Sequence, residues 1–214
     1  MVSSESIVIS KREFNDADLL VVFLSSLHGR LTGVAKNAKK SKKRFGGCLE
    51  NGYVLLLNYE RKRGDLVTIT SASLVSPLRY RTYSLHELYI MHFGLELALR
   101  FIPEGEVDEK RYELLKRFLI SIHEGRLTRG IFIYFLLRWF NLSGFLPDIS
   151  SLGADSNLED STLERLQKIL KGSIESEVSD EEMRKILEFI TGFSAHILGT
   201  PLRSERYIND MIKV

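Results

Sequence analysis

The chain has 214 residues, 44% of them apolar and 27% charged, which excludes a disordered chain and leaves room for one domain or two small ones. A formal charge of +2 hides an asymmetry: residues 1–80 carry 13 Lys and Arg against 7 Asp and Glu, and the remainder 17 against 21, so a polyanion partner is expected only at the N-terminal part. The single cysteine, Cys48, excludes an intrachain disulfide framework and a cysteine-based zinc cluster, and fits a reducing cytoplasm.

The opening "MVSSESIVISKREF" has no basic stretch running into a continuous apolar one, so no secretory signal is expected. From Glu5 to about Ser76, β-branched and aromatic residues come in short runs: "SIVIS", "LLVVFLSSL", "RLTGVA", "YVLLLNYE" and "LVTITSASL". Asn15-Asp16 and His28-Gly29 mark the first turns, and "RKRGD" joins the last two runs. Five short strands with no helix signal predict a small antiparallel barrel over residues 1–80. The oligonucleotide/oligosaccharide-binding (OB) type is the nearest pattern, and an SH3-like barrel shares its periodicity.

After Pro77 the punctuation becomes helical. Ser84 with Glu87, Ser161 with Glu164 and Ser179 with Glu182 each read as a capping box, and Gly125, Gly144, Gly172 and Gly199 sit where helices should stop. Helices are predicted near 84–101, 108–124, 128–143, 158–171, 179–197 and 202–212, giving an all-α bundle over residues 81–214. Within the first, Leu85, Leu88, His92, Leu95 and Leu99 form the expected core stripe, with His92 as a satisfied core histidine. The apolar run from Ile131 is short and interrupted by Arg138, so it reads as a buried helix and not as a membrane span. The polar segment 149–157 reads as a loop. The fold class expected is therefore α+β, two domains, with the barrel first.

Chemistry concentrates in "GVAKNAKKSKKRFGGCLE", where six of the nine residues from Lys36 to Arg44 are basic. Lys36, Lys39, Lys40, Lys42, Lys43 and Arg44 follow a predicted strand and can line a phosphodiester backbone, with Phe45 beside them to stack on a base. Six contacts to single-stranded phosphates would give a log-affinity slope against log salt of about −0.7 each, or about −4. The bland reading of the same run is a solvated lysine loop. Arg61, Lys62 and Arg63 at the last hairpin form a second cluster, either flanking the same face or making an exposed turn. Tyr53, Tyr59 and Phe14 could stack on bases, although strand aromatics are more often core. No GxSxG, Walker A, GxGxxG or HExxH pattern occurs, and the five histidines are scattered, so no catalytic or metal site is expected. Asp155, Glu159 and Asp160 fit a polar helix start better than a metal-dependent nuclease, and Cys48 fits a small barrel residue better than a reactive thiol.

The stretch "SIVISKREFNDADLLVVFLSSLHGRLTGVAKNAKKSKKRFGGCLE" resembles the N-terminal domain of the RecO family of bacterial DNA repair and recombination mediators. Gly33-Val34-Ala35-Lys36, Ala38-Lys39-Lys40 and Arg44-Phe45-Gly46-Gly47 match that family's pattern. Asn37 stands where glycine is usual, and asparagine tolerates the positive φ such a turn needs. "NLSGFLPDI" and "HILGTPLRSERYI" are similar to two later family signatures. The resemblance implies an OB barrel, a helical domain, and binding and annealing of single- and double-stranded DNA without catalysis or cofactor. It also implies work with RecR, single-stranded-DNA-binding protein and RecA in the cytoplasm, at the nucleoid during repair. Arg203 and Arg206 are then candidates for the carboxylate of that binding protein's acidic tail. Many family members carry a four-cysteine zinc module after the "GFxPD" signature, and here that module is absent. An RNA-binding OB protein is the alternative the same basic loop allows, and a nuclease the less favoured one.

Overall fold

The computed structural model describes residues 1–61, 64–75, 82–149, 158–174 and 177–207. Five strands close into a barrel: β1 (Val2–Phe14), β2 (Asp18–Ser25), β3 (Gly29–Ala35), β4 (Val54–Arg61) and β5 (Val67–Leu74). They run around it in the order β1-β2-β3-β5-β4. Alternation sends Val8, Val21, Phe23, Leu31, Leu55, Leu57 and Ile69 inward, where they form one buried core. Bulges at Ile9 and at Thr70, between Asn58 and Tyr59 of the facing strand, bend β1 and β5, so that one strand can serve two neighbours. Four pairings are antiparallel as expected; the closure of β3 on β5 is parallel, with Gly33 opposite Val67 and Ala35 opposite Ile69.

The same alternation turns Ile7, Ile9, Leu20 and Leu24 outward, yet all four are buried. The chain between Gly94 and Leu119 groups with the barrel as one compact unit. That segment spans the second half of α2 (Leu85–Phe101) and most of α3 (Glu109–His123). Arg30 Nε donates to the Ile102 carbonyl at 2.6 Å, and Gly105 N–H donates to the Arg30 carbonyl at 2.8 Å. Glu5 accepts from Tyr112 Oη at 3.0 Å and from Lys116 Nζ at 2.6 Å. Gly29 has φ +68°, and a Cβ there would stand 1.9 Å from the Glu106 carbonyl oxygen, so only glycine permits this approach.

The second unit groups Thr82–Phe93 with the described residues from Ile120 onward. It contains α4 (Arg129–Leu142), α5 (Asp160–Leu170) and α6 (Asp180–Leu198). Its core holds Phe132, Phe135, Trp139, Phe140, Leu166 and Ile186. The expected capping boxes are present at Ser84–Glu87 and Ser179–Glu182. Ser161 is not a cap: α5 begins one residue before it, and the extended Glu159 precedes the helix without a side-chain cap. Thr128 caps α4 by accepting from Ile131 N–H. His92 is exposed, its Nδ1 within 2.8 Å of the Leu88 carbonyl, and Leu85 is 62% exposed, so the expected core stripe is not the buried one. α2 is apolar around most of its girth, and of that stripe it buries Leu95, together with Ile90, Met91, Phe93, Leu97 and Ala98. Helical structure in the predicted 202–212 stretch is described over residues 205–207, and residues 208–212 lie outside the described chain.

Candidate nucleic-acid interface

The basic segment leaves β3 at Ala35 and returns on itself through Asn37, whose φ of +56° is the left-handed turn anticipated for an asparagine there. Asn37 N–H donates to Asp18 Oδ1 at 2.7 Å, Lys39 N–H donates to the Ala17 carbonyl at 3.1 Å, and Ser41 N–H closes on the Asn37 carbonyl at 3.0 Å. The Asn37 N–H, then the Asn15 amide, and the charge of Lys36 hold the Asp18 carboxyl below the ordinary carboxylate range. A single helical turn follows, α1 (Lys42–Phe45), ended by Gly46 at φ +54° with its N–H on the Lys42 carbonyl. Sequence periodicity could not register so short a helix.

Phe45 is the pin of this arrangement. The ring is 2% exposed and lies in the barrel core with Cys48 and Leu49, so it has no face to offer a base and the stacking role expected of it is corrected. Cys48 shares that burial, which pushes its thiol pKa up, as befits a packing residue. With one cysteine in the chain, the four-cysteine zinc module cannot be assembled, and no described cluster of His, Cys, Asp or Glu is placed to hold a metal ion.

Burying Phe45 turns the lysines around it outward. Lys36, Lys40, Lys42 and Lys43 are exposed. Lys39 is engaged, its Nζ 2.9 Å from Glu13 Oε2. Arg44 is used locally, donating to the Lys36 carbonyl at 2.7 Å and to Ser41 Oγ at 3.1 Å, with its guanidinium 5.0 Å from the Phe45 ring centroid. The six-cation run therefore divides into four outward ammonium groups and two groups that brace the loop. Arg61 is exposed at the end of β4, opposite Val67, which is itself opposite Gly33. It thus lies two strands across from β3 and three residues back from Lys36. Lys62 and Arg63 lie outside the described residues, as do Asp155 and most of the 149–157 loop.

Of the other aromatics, Tyr59 is core, with its hydroxyl bonded to Ser25 and to His28 Nδ1, and Tyr53 is half-buried. Phe14 is 37% exposed at the end of β1, and the neighbouring Arg12 is exposed as well. Arg12 had no signal in the sequence, because one cation in a strand belongs to no charge run.

In the second unit, Arg206 lies over the Tyr207 ring at 4.5 Å, and Tyr207 stacks on Tyr89 with centroids 4.8 Å apart. Arg203 also has partners of its own. A cavity of about 280 Å³ opens nearby in sequence terms, floored by Ile90, Leu127, Phe132, Met183 and Leu187, with His86 and Arg129 at its rim. Arg129 donates to the Val178 carbonyl at 2.8 Å and pairs with Asp180. Burial, and then Arg129, lower the pKa of His86, which favours its neutral form.

Two family models match the chain: "Recombination protein O N terminal" over residues 1–78 and "Recombination protein O C terminal" over residues 83–154. Curated relatives named DNA repair protein RecO are similar along most of it. The protein of Syntrophobacter fumaroxidans is 30% identical over 70% of this chain, that of Koribacter versatilis 34% over 68%, and that of Thermodesulfovibrio yellowstonii 30% over 71%. In each case the match spans 60% of the relative's own length.

Proposed function

The chain belongs to the recombination protein O family of DNA repair proteins, and on that premise we propose that it is a recombinational repair mediator that binds single- and double-stranded DNA and anneals complementary strands. In this reading residues 1–80 carry the nucleic-acid-binding barrel and residues 81–214 the partner-binding helices. The observation that carries it is the set of outward ammonium groups on a braced loop, Lys36, Lys40, Lys42 and Lys43. A loop fixed by Asp18 and pinned by Phe45 loses little conformational freedom when it meets phosphate, so more of the electrostatic gain survives as affinity.

Mechanistically, strands repel one another through their phosphates. Cations that neutralise phosphate on one strand lower that repulsion, and released counterions drive the association. Contacts to the backbone carry no sequence information, so any complementary pair can meet. Lys39 and Arg44 act by shaping the loop, while Arg61, with Arg63 near it in sequence, supplies further cations. No step needs a nucleophile or a cofactor. Cytoplasmic work with RecR, single-stranded-DNA-binding protein and RecA completes the proposal. An apolar-ended tail is suited to the cavity lined by Ile90 and Phe132, where its carboxylate would compete with Asp180 for Arg129. Arg206 is the weaker candidate because Tyr207 already covers it; Arg203 is the reserve.

The test is strand annealing and binding as a function of salt for the wild type and a K40A/K42A/K43A variant. Removing three single-strand phosphate contacts should flatten the salt slope by about 2 and slow annealing at low salt. A variant that anneals equally well with an unchanged slope would sink the reading. A clear preference for RNA over DNA of matched sequence would move the barrel to the RNA-binding alternative.

A further inference from the structure

We propose that Phe14, flanked by Arg12 and Lys36, is a stacking seat for an unpaired nucleobase. This rests on the reading of the basic loop as a phosphate grip and adds the base contact that Phe45, buried, cannot supply.

β1 runs past the barrel proper, and from Ser10 to Phe14 its pairing with β2 is regular, ending with Arg12 opposite Leu20 and Phe14 opposite Asp18. Residues two apart share a face, so Arg12 and Phe14 point the same way, while Lys11 and Glu13 point to the other side, towards Glu50 and Lys39. β2 pairs with β3 up to Leu19 opposite Ala35. One step further that register sets Asp18 opposite Lys36, and the electrostatic pull of Lys36 on Asp18 agrees. Phe14, Asp18 and Lys36 thus stand in a row across three strand ends. With strands about 4.8 Å apart, the row from Phe14 to Lys36 spans about 10 Å.

Asp18 in the middle is occupied by the Asn37 N–H and the Asn15 amide. The surface there presents an aromatic face with a guanidinium and an ammonium near it, and the exposed Asp16 two residues along the chain. Phe23, Phe45 and Tyr59 all have their rings in the core, whereas Phe14 is 37% exposed. A base laid on this ring would carry its two flanking phosphates towards Arg12 and Lys36. A duplex keeps its bases stacked on one another and cannot use the seat; a single strand can.

The experiment uses F14W, F14A and F14L with three probes: a short oligothymidylate, the same strand with abasic sugars, and a duplex. The one native tryptophan, Trp139, is wholly buried, so new emission from F14W reports on the seat. Oligothymidylate should quench F14W, and the abasic strand and the duplex should not. F14A and F14L should each weaken oligothymidylate binding about fivefold or more and leave the abasic strand unchanged. F14L keeps the apolar bulk without a π face, so a loss shared by both variants is not a packing defect. Equal effects on all three probes, or no effect on any, would overturn the stacking seat. The K40A/K42A/K43A variant separates the two claims. If it weakens the abasic strand while F14W stays unquenched, the grip stands and the seat falls; if it leaves the abasic strand unaffected, the grip itself has failed.

Discussion

Four cations of the α4–α6 region and those of the basic loop are treated in opposite ways. In the helical region Arg129 meets Asp180, Arg165 meets Glu182, Arg184 meets Glu188 and Lys185 meets Glu159. In the loop, Lys40, Lys42 and Lys43 point outward, and among the described residues only Lys39 has a carboxylate, Glu13. A charge that finds its counterion within the chain serves geometry, and one that does not is left for something outside it. Net charge by segment hints at this difference, but pairing decides it.

The comparison breaks most visibly at Phe45. Replacing it with alanine should cost about 3–5 kcal/mol in denaturant unfolding, because a buried ring leaves a cavity, and should loosen the loop at the same stroke. The K40A/K42A/K43A variant should retain wild-type stability. Equal stability for both variants would show that the loop is not pinned through its aromatic residue.

Two glutamine substitutions sharpen the contrast at smaller scale. R165Q removes a partly exposed pair and a bond to the Glu177 carbonyl, so it should cost about 0.2–1 kcal/mol of stability and leave DNA affinity alone. E13Q should do the reverse, freeing Lys39 and tightening single-strand binding about two- to fivefold, with a salt slope steeper by about 0.7. An E13Q protein that binds no better would mean that phosphate already displaces Glu13 without penalty.

The smallest expected effect is in pH. Asp18 has its carboxyl lowered by the Asn37 N–H, so the anchor is fully present above the ordinary carboxylate pKa of about 3.9 and is lost only as the pH falls through the lower folded value. Following the Asn37 amide resonance in an acid titration checks the sign. A midpoint above the ordinary value would show that the bond does not favour the charged form.

Much of this was written in the sequence, and the exceptions share a cause. The five strands and five long helices follow from period and punctuation, which are local properties. The lysines could be located but not sorted, because nothing in "KNAKKSKKRF" says that Lys39 will face Glu13 or that Arg44 will turn back onto the Lys36 carbonyl. Phe45 looked like a stacker beside cations and is core, because the barrel end needed a plug, which only closure of the sheet creates. His92 was misplaced for a similar reason: a helix apolar on several sides offers more than one stripe, and packing chooses among them. Arg12 and Phe14 acquire meaning only from the register of β1, β2 and β3.

The glycine at the β2–β3 turn reaches further than its turn. Because Gly29 lets the Glu106 carbonyl come so near, and because Arg30 and Glu5 bond to Ile102, Gly105, Tyr112 and Lys116, the barrel is not a transferable module. A fragment ending near residue 80 would leave Glu5 and Arg30 without those partners and should be less stable than the whole chain. The division of labour proposed for this chain and the division of its folding are therefore drawn at different places: a gene fusion or truncation that respected the first would violate the second.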